Sequence, residues 1–468
     1  MERFRRAMSS TPSRNRTAAI TSRGLLGQAL RVSGIVILLQ FVFFGLLVVS
    51  QGLPDGPIVS RLSEDVREGA YGPSRMPDRM GGIGDTFTEC VVVGTGLGPA
   101  PGESIVHQAG RMPRLSNCEK GAEQILALDS GTAVQDSSYF RYWAGYSVLV
   151  RPVLAVAGIE GVRIVTGALL AASMVFAGSV LGRLTRWWVP VSLFGPLLLT
   201  SNLMSTPSTS LLSALTWSVI IAGAGVTALA ARRSESAAYL AVAVSAAVYG
   251  YVDLLTNPAA AWSLTVMAAG VTHWWGQREV RSTFWLVAVS GFVWIASFTF
   301  TWVARWIWAI PFVGFDEVVR TVQENVAFRT SGEYVTVDPG LGQGIVRNVT
   351  WWLTKVPTTV TVLVLATLAV GFIAVLTLRR RQSGAGLGGW TLALSAAPIP
   401  IWLFLVSNHS QIHAFLTYRL IPTSLGILLT SVAVAALGPA PMAPAPPGPG
   451  ESGSQGTYPR ATTSVGTA

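Results

Sequence analysis

Between Ser407 and Arg419 the chain places an amide, two imidazoles, several hydroxyls and a guanidinium in quick succession: Asn408, His409, Ser410, Gln411, His413, Thr417, Tyr418 and Arg419. The whole sequence has only 4 histidines, so two of them in one short stretch stand out. In a helix, His409 and His413 fall one turn apart on one face. Such a pair can orient a donor or an acceptor, with Asn408 assisting. With a carboxylate such as Asp85 or Glu89 it can bind a divalent metal. The same residues also suit an interfacial loop whose imidazoles meet water and headgroups.

Three further stretches carry chemistry. Gly81-Gly82-Ile83-Gly84 leads to Asp85 and Glu89, four apart and on one face if helical. Asp85 reads as a general base or metal ligand, or else as a solvated loop carboxylate. Tyr139-Phe140-Arg141-Tyr142-Trp143, followed by Arg151, mixes aromatics with arginines. That mixture anchors a helix at headgroup level, and its guanidiniums match phosphate oxygens. Asp253 sits in the tight link Tyr251 to Pro258, where a carboxylate calls for a partner such as an outer arginine. Arg305, between Trp302 and Trp306, opens a loop with Glu333, Tyr334, Asp338 and the glycine-rich 340–344. Gly94-Thr95-Gly96-Leu97-Gly98 lacks the third glycine spacing and the helix of a dinucleotide loop and is set aside.

The elements that must position these residues follow from composition. Half the residues (50%) are hydrophobic and 12% are charged, with a mean hydropathy of +0.50. A soluble chain carries roughly twice that charge fraction. Apolar runs of about twenty residues recur along the sequence, each long enough to cross a bilayer. The expected fold class is an all-α polytopic membrane protein, and the formal charge of +10 reports on loop arginines rather than nucleic acid. Spans are predicted at 32–49, 160–182, 187–203, 209–231, 236–254, 258–275, 284–306, 356–378, 388–406 and 416–437, about ten transmembrane helices. Residues 1–32 form a basic N-terminus before an uncleaved first span, and 33–437 form the membrane domain. Arg183/Arg186, Arg232/Arg233, Arg278/Arg281 and Arg379–Arg381 fall in alternate loops, which places them, and both termini, in the cytoplasm.

On that topology the loops 51–142 and 311–349 are extracellular. The first contains the only two cysteines, Cys90 and Cys118, expected to form one disulfide in an oxidising exterior. The tail 438–468 is rich in proline and glycine and cannot build a core. Asn348-Val349-Thr350 fits the glycosylation sequon.

Taken together, the first span, the long acidic-bearing outer loop and the outer-face polar stretches resemble the GT-C superfamily of membrane glycosyltransferases. The motifs are Arg141-Tyr142-Trp143-x-Gly145-Tyr146, Asp253-Leu254-Leu255-Thr256-x-Pro258 and Asn408-His409-Ser410-x-Ile412-His413-x-Phe415-x-x-Tyr418-Arg419. They are similar to those of bacterial membrane proteins near that superfamily. Two departures stand out: Ala144 follows the Tyr-Trp pair, and Asp85 lies far from the first span without an adjacent carboxylate. The resemblance implies transfer of a sugar from a polyprenyl-phosphate donor to an envelope glycan, lipid or protein at the outer face of the plasma membrane. Asp85, with Glu89, would serve as base. Arg141, Tyr142, Trp143, Arg151, Asp253, Arg305, Asn408, His409, His413 and Arg419 would bind substrate. No cofactor is required beyond a possible divalent metal. The alternative is a transporter or flippase of a lipid-linked glycan or other envelope precursor.

Overall fold

The computed structural model describes residues 22–78, 83–330, 337–379 and 385–439. The basic residues 1–21, Gly81 and Gly82, Glu333 and Tyr334, Arg380 and Arg381 and the tail from 440 lie outside the described residues.

The chain is almost entirely helical. The first span is α1 (Ser22–Gln51), and it runs into a cap of α2 (Asp55–Arg67), α3 (Thr86–Val93), α4 (Ile105–Arg111) and α5 (Cys118–Asp129). Two short antiparallel hairpins complete the cap, β1 (Met76–Pro77) with β2 (Ile83–Gly84) and β3 (Pro113–Arg114) with β4 (Ser137–Ser138). The expected disulfide is present, Cys90 to Cys118, with the Cα atoms 5.2 Å apart. It ties the end of α3 to the start of α5.

The bundle that follows comprises α6 (Ser147–Leu184), α7 (Trp188–Leu199), α8 (Thr206–Thr209), α9 (Leu211–Arg233), α10 (Glu235–Val252), α11 (Pro258–Gln277) and α12 (Val280–Val313). Beyond it come α13 (Phe315–Thr330), α14 (Gln343–Lys355), α15 (Thr359–Arg379), α16 (Ala385–Ala393), α17 (Pro398–Leu405), α18 (Ser407–Ile412), α19 (Ala414–Thr417) and α20 (Leu420–Leu437). Among the described residues, 7 helices are long and apolar enough to cross a membrane, or up to 8 if the bent pair α14–α15 counts as one. Two of the expected spans differ in kind. The stretch 187–203 folds as a 12-residue helix, about 18 Å long at 1.5 Å per residue. The stretch 258–275 is a full helix, α11, but its neighbours enclose nearly every side chain. A helix shielded from lipid by protein can carry Ser263, Thr265, Thr272 and His273 without cost to the bilayer.

Polar groups segregate to the two ends of this bundle. At one end Ser282 Oγ donates to Glu235 (2.9 Å) and meets His273 Nε2 (2.7 Å), joining the two loops expected to be cytoplasmic. The other end carries the cap, the Asp253 link and the histidine stretch. Large apolar side chains such as Leu38, Ile164, Val175 and Phe292 face outward from the spans, as a lipid-facing surface requires.

The cap is fastened by buried arginines. Arg305 on α12 has no exposed surface, and its guanidinium donates to the carbonyls of Tyr142 (2.9 Å), Ala109 (3.3 Å) and Gly110 (2.9 Å). Arg151 on α6 donates to the carbonyls of Ser50 (2.9 Å), Gly96 (3.0 Å) and Leu53 (3.0 Å) and to Asp55 (2.7 Å). The carbonyls replace the water that a buried charge loses. Asp65 of α2 adds a third tie. It accepts the Ile159 N–H (2.9 Å) at the break in α6 where Gly158 has φ 62°. A Cβ at Gly158 would lie 2.9 Å from the Asp65 carboxylate, so glycine serves both the backbone and the approach.

Replacing Arg305 with leucine leaves three carbonyls without donors, at about 1–3 kcal/mol each. The expected result is a thermal unfolding temperature several degrees lower and a cap newly open to trypsin. Wild-type protease resistance in that variant would remove the anchoring role.

Candidate functional site

Asp85 is built into the cap by local rules. It precedes α3 as its N-cap, and one carboxylate oxygen accepts the Thr88 N–H (3.1 Å). The other oxygen, Oδ2, is buried with no partner among the described residues. The residue is only 4% exposed. Burial pushes its carboxyl above the ordinary value, while Thr88 and the nearby Arg419 guanidinium pull the other way. Glu89, one turn on, accepts from Arg163 Nη2 (2.6 Å) and is likewise raised by burial. The two carboxylates thus share a face, as their spacing implied. Glu89 answers a structural arginine, and Asp85 faces the bundle.

Opposite Asp85 lies a polar knot. Arg419 Nε donates to Asn202 Oδ1 (2.9 Å) and its Nη1 to Ser213 Oγ (3.3 Å). Tyr418 donates its hydroxyl proton to the same Asn202 oxygen (2.7 Å) and accepts the Asn202 backbone N–H (2.8 Å). The Asn202 amide reaches across to Asp78 of the cap (2.6 Å). One asparagine therefore fixes Tyr418, Arg419 and the cap strand beside Asp85.

The histidine pair sits on the connector between α17 and α20. His409 is on α18 and His413 directly follows that helix, and the ring centroids are 4.6 Å apart. Neither ring nitrogen of His409 makes a well-formed hydrogen bond among the described residues, and the Leu255 backbone is its polar neighbour. Burial, then His413 and Arg329, hold the His409 imidazole well below its ordinary value. Burial and Arg329 bring His413 down to about 4. Both rings are neutral at pH 7, so each offers one donor and one acceptor nitrogen. Asn408 is buried beside them, and Gln411 tethers the loop through Asp338 (2.9 Å).

Other expected site residues turn out to be structural. Arg151 and Arg305 are enclosed and direct their donors at backbone carbonyls, so neither presents a free fork to a phosphate. Trp143 donates its indole N–H to the Thr301 carbonyl (2.6 Å) inside the core. Asp253 accepts from Thr216 (2.9 Å), Tyr249 (2.6 Å) and both the N–H and hydroxyl of Thr256 (2.6 Å each), and its partners are hydroxyls and an amide rather than an outer arginine. Asn348 of the sequon is fully buried, bridging Gly344, Ser410 and Thr417. Arg141 and Tyr142 group instead with Arg329, whose guanidinium donates to the Tyr142 hydroxyl.

Sequence reading missed Asn202, Asp78 and Arg329. Asn202 follows an apolar helix in a run of small polar residues with no motif of its own. Arg329 gave one usable signal, a basic residue on the outer side against the usual bias. Among the described residues no group of three His, Cys, Asp or Glu is placed to hold a metal ion.

The lowered imidazoles set a stability profile. Their folded values lie below the unfolded value of 6.5, so the unfolded chain takes up protons first as pH falls. This contribution is fully present above that value and is lost on acidification towards pH 4. Replacing His413 with glutamine should flatten the fall in unfolding temperature between pH 7 and 4. An unchanged slope would show that His413 is not buried neutral.

No family model, curated protein or solved structure matches this chain.

Proposed function

We propose that the protein is a membrane glycosyltransferase that moves a sugar from a polyprenyl-phosphate donor to an envelope acceptor at the outer face of the plasma membrane. In this reading α7 and α11 complete ten crossings and both termini are cytoplasmic, in line with the alternating loop arginines. The observation that carries it is the unpartnered Asp85 Oδ2, buried at the seam of cap and bundle and set against Arg419.

Asp85 takes the proton of the acceptor hydroxyl as that oxygen attacks the anomeric carbon. The bond to the donor phosphate breaks as the new bond forms, and the phosphate leaves as an anion without a general acid. Arg419 lies on the side where that charge develops, held in place by Asn202 and Ser213. His409 and His413, both neutral, orient hydroxyls through one donor and one acceptor nitrogen each. Of the arginines first considered, Arg419 is the one suited to the donor phosphate, because Arg151 and Arg305 direct their donors at carbonyls and at Asp55. The base must be ionised, and burial raises its pKa. Transfer should therefore fall as pH drops through a value above the ordinary carboxylate range.

The test is a strain lacking the protein, complemented with wild type, Asp85→Asn or Arg419→Gln, with envelope glycans read by mass spectrometry. Loss of a general base costs roughly 10²–10⁴-fold in rate, so the Asp85→Asn strain should match the deletion while the variant accumulates normally. Full restoration by Asp85→Asn sinks the base assignment. Reconstituted vesicles that move a lipid-linked glycan without changing it would replace the transferase by a flippase.

A further inference from the structure

Towards the cap end of α12 a tight crevice beside α13, with about 190 Å³ of unfilled space but no room for a water-sized sphere, is lined by Arg141, Tyr142, Trp302, Trp306, Asn325 and Arg329. Its electrostatics are lopsided. Arg141 Nη1 and Arg329 Nη1 both donate to the same Asn325 Oδ1, at 3.4 and 3.1 Å. Both guanidiniums also sit over the Tyr142 ring, 5.5 and 5.7 Å from its centroid. Neither forms an ion pair among the described residues. Two like charges held on one amide oxygen at low dielectric repel, and the shared acceptor relieves little of that.

The unmet hydrogen bonds point the same way. Arg141 Nε, Arg329 Nε and Trp302 Nε1 are buried without partners, and Arg329 is only 6% exposed. All three are N–H donors, so the missing group is an acceptor. Buried polar atoms are normally satisfied, so a cluster of orphans of one kind calls for an acceptor from a water, an ion or a ligand. Guanidinium forks with unpaired charge match phosphate oxygens, and the two indoles, 4.5 Å apart, offer faces to an apolar or ring-shaped neighbour. Val303 and Ile307, on the same turns of α12, face outward, which sets the cleft at the depth where lipid headgroups lie.

We infer that this cleft binds a phosphate ester, at a subsite separate from the Asp85–Arg419 pair. Arg419 bonds to Asn202 and Ser213, whereas Arg141 and Arg329 bond to Asn325 and Tyr142, so the two basic centres share no hydrogen-bond partner. The subsite does not depend on the transfer chemistry, since it uses neither Asp85 nor Arg419. The ester is carried either by a lipid or by a free sugar phosphate, and the lining side chains must part to admit it.

The experiment is binding to the purified full-length protein in maltoside micelles, read by native mass spectrometry and tryptophan fluorescence. The probes are phosphatidylglycerol, diacylglycerol and glucose 1-phosphate. Phosphatidylglycerol should bind at one equivalent, and the double change Arg141→Gln with Arg329→Gln should weaken it roughly tenfold or more. The Asp85→Asn variant should bind as wild type does, which separates this result from the fate of the transfer reading. Glucose 1-phosphate displacing the lipid supports the subsite and assigns it a soluble ester. Should the double variant fail to fold, Trp302→Leu carries the test, with severalfold weaker binding expected. Equal binding of diacylglycerol, or wild-type affinity in a folded double variant, overturns the inference.

Discussion

The structure rests on burying arginine charge against backbone carbonyls where the helices leave the apolar layer. Arg305 and Arg151 are both almost fully enclosed, and between them they bind six carbonyl oxygens drawn from the cap, the end of α1 and the segment before α6. A guanidinium deprived of water is tolerable only when its donors are satisfied at good geometry. That requirement fixes the cap in rotation and height relative to the bundle. Because the anchors lie on different helices, the cap cannot tilt about either one alone.

What the anchoring accomplishes is the placement of Asp85. The carboxylate caps α3, a role that alone would leave it at a solvated loop end. Docking of the cap instead brings it against Arg419 and Asn202, where burial raises its pKa and leaves one oxygen without a partner. Asn202 is the hinge of this arrangement. It accepts from Tyr418 and Arg419 on the bundle side and donates to Asp78 on the cap side. The orphaned acceptor of Asp85 and the orphaned donors of Arg329 and Trp302 lie towards the cap, while others, such as Trp217, Ser263 and Ser290, lie within the helices. Unpaired groups of both kinds are costly in isolation.

Much of the architecture was legible in the sequence because it follows from local composition. Apolar runs and loop arginines located the helices, the two cysteines forecast their bridge, and the spacing of His409 and His413 put their rings together. Two of the expected spans take a form that composition alone does not convey. The stretch 258–275 was read from hydropathy alone, but α11 is enclosed by its neighbours and needs no apolar exterior. The stretch 187–203 is apolar over most of its length, and its helix stops at Leu199 before the buried Thr200, Ser201 and Asn202.

Side-chain roles divided along the same line. Sequence by itself determined an all-α chain with membrane-spanning helices and a disulfide-bearing segment between them, since those properties depend on hydrophobicity and short spacing. Only the tertiary structure decided which arginines bind carbonyls and which keep unmet donors, and that both oxygens of Asp253 are satisfied while one oxygen of Asp85 is not. Those outcomes turn on partners as distant in sequence as Asn202 and Arg419, or Arg141 and Asn325. Hydrogen bonds select by position in space, and no local pattern records it.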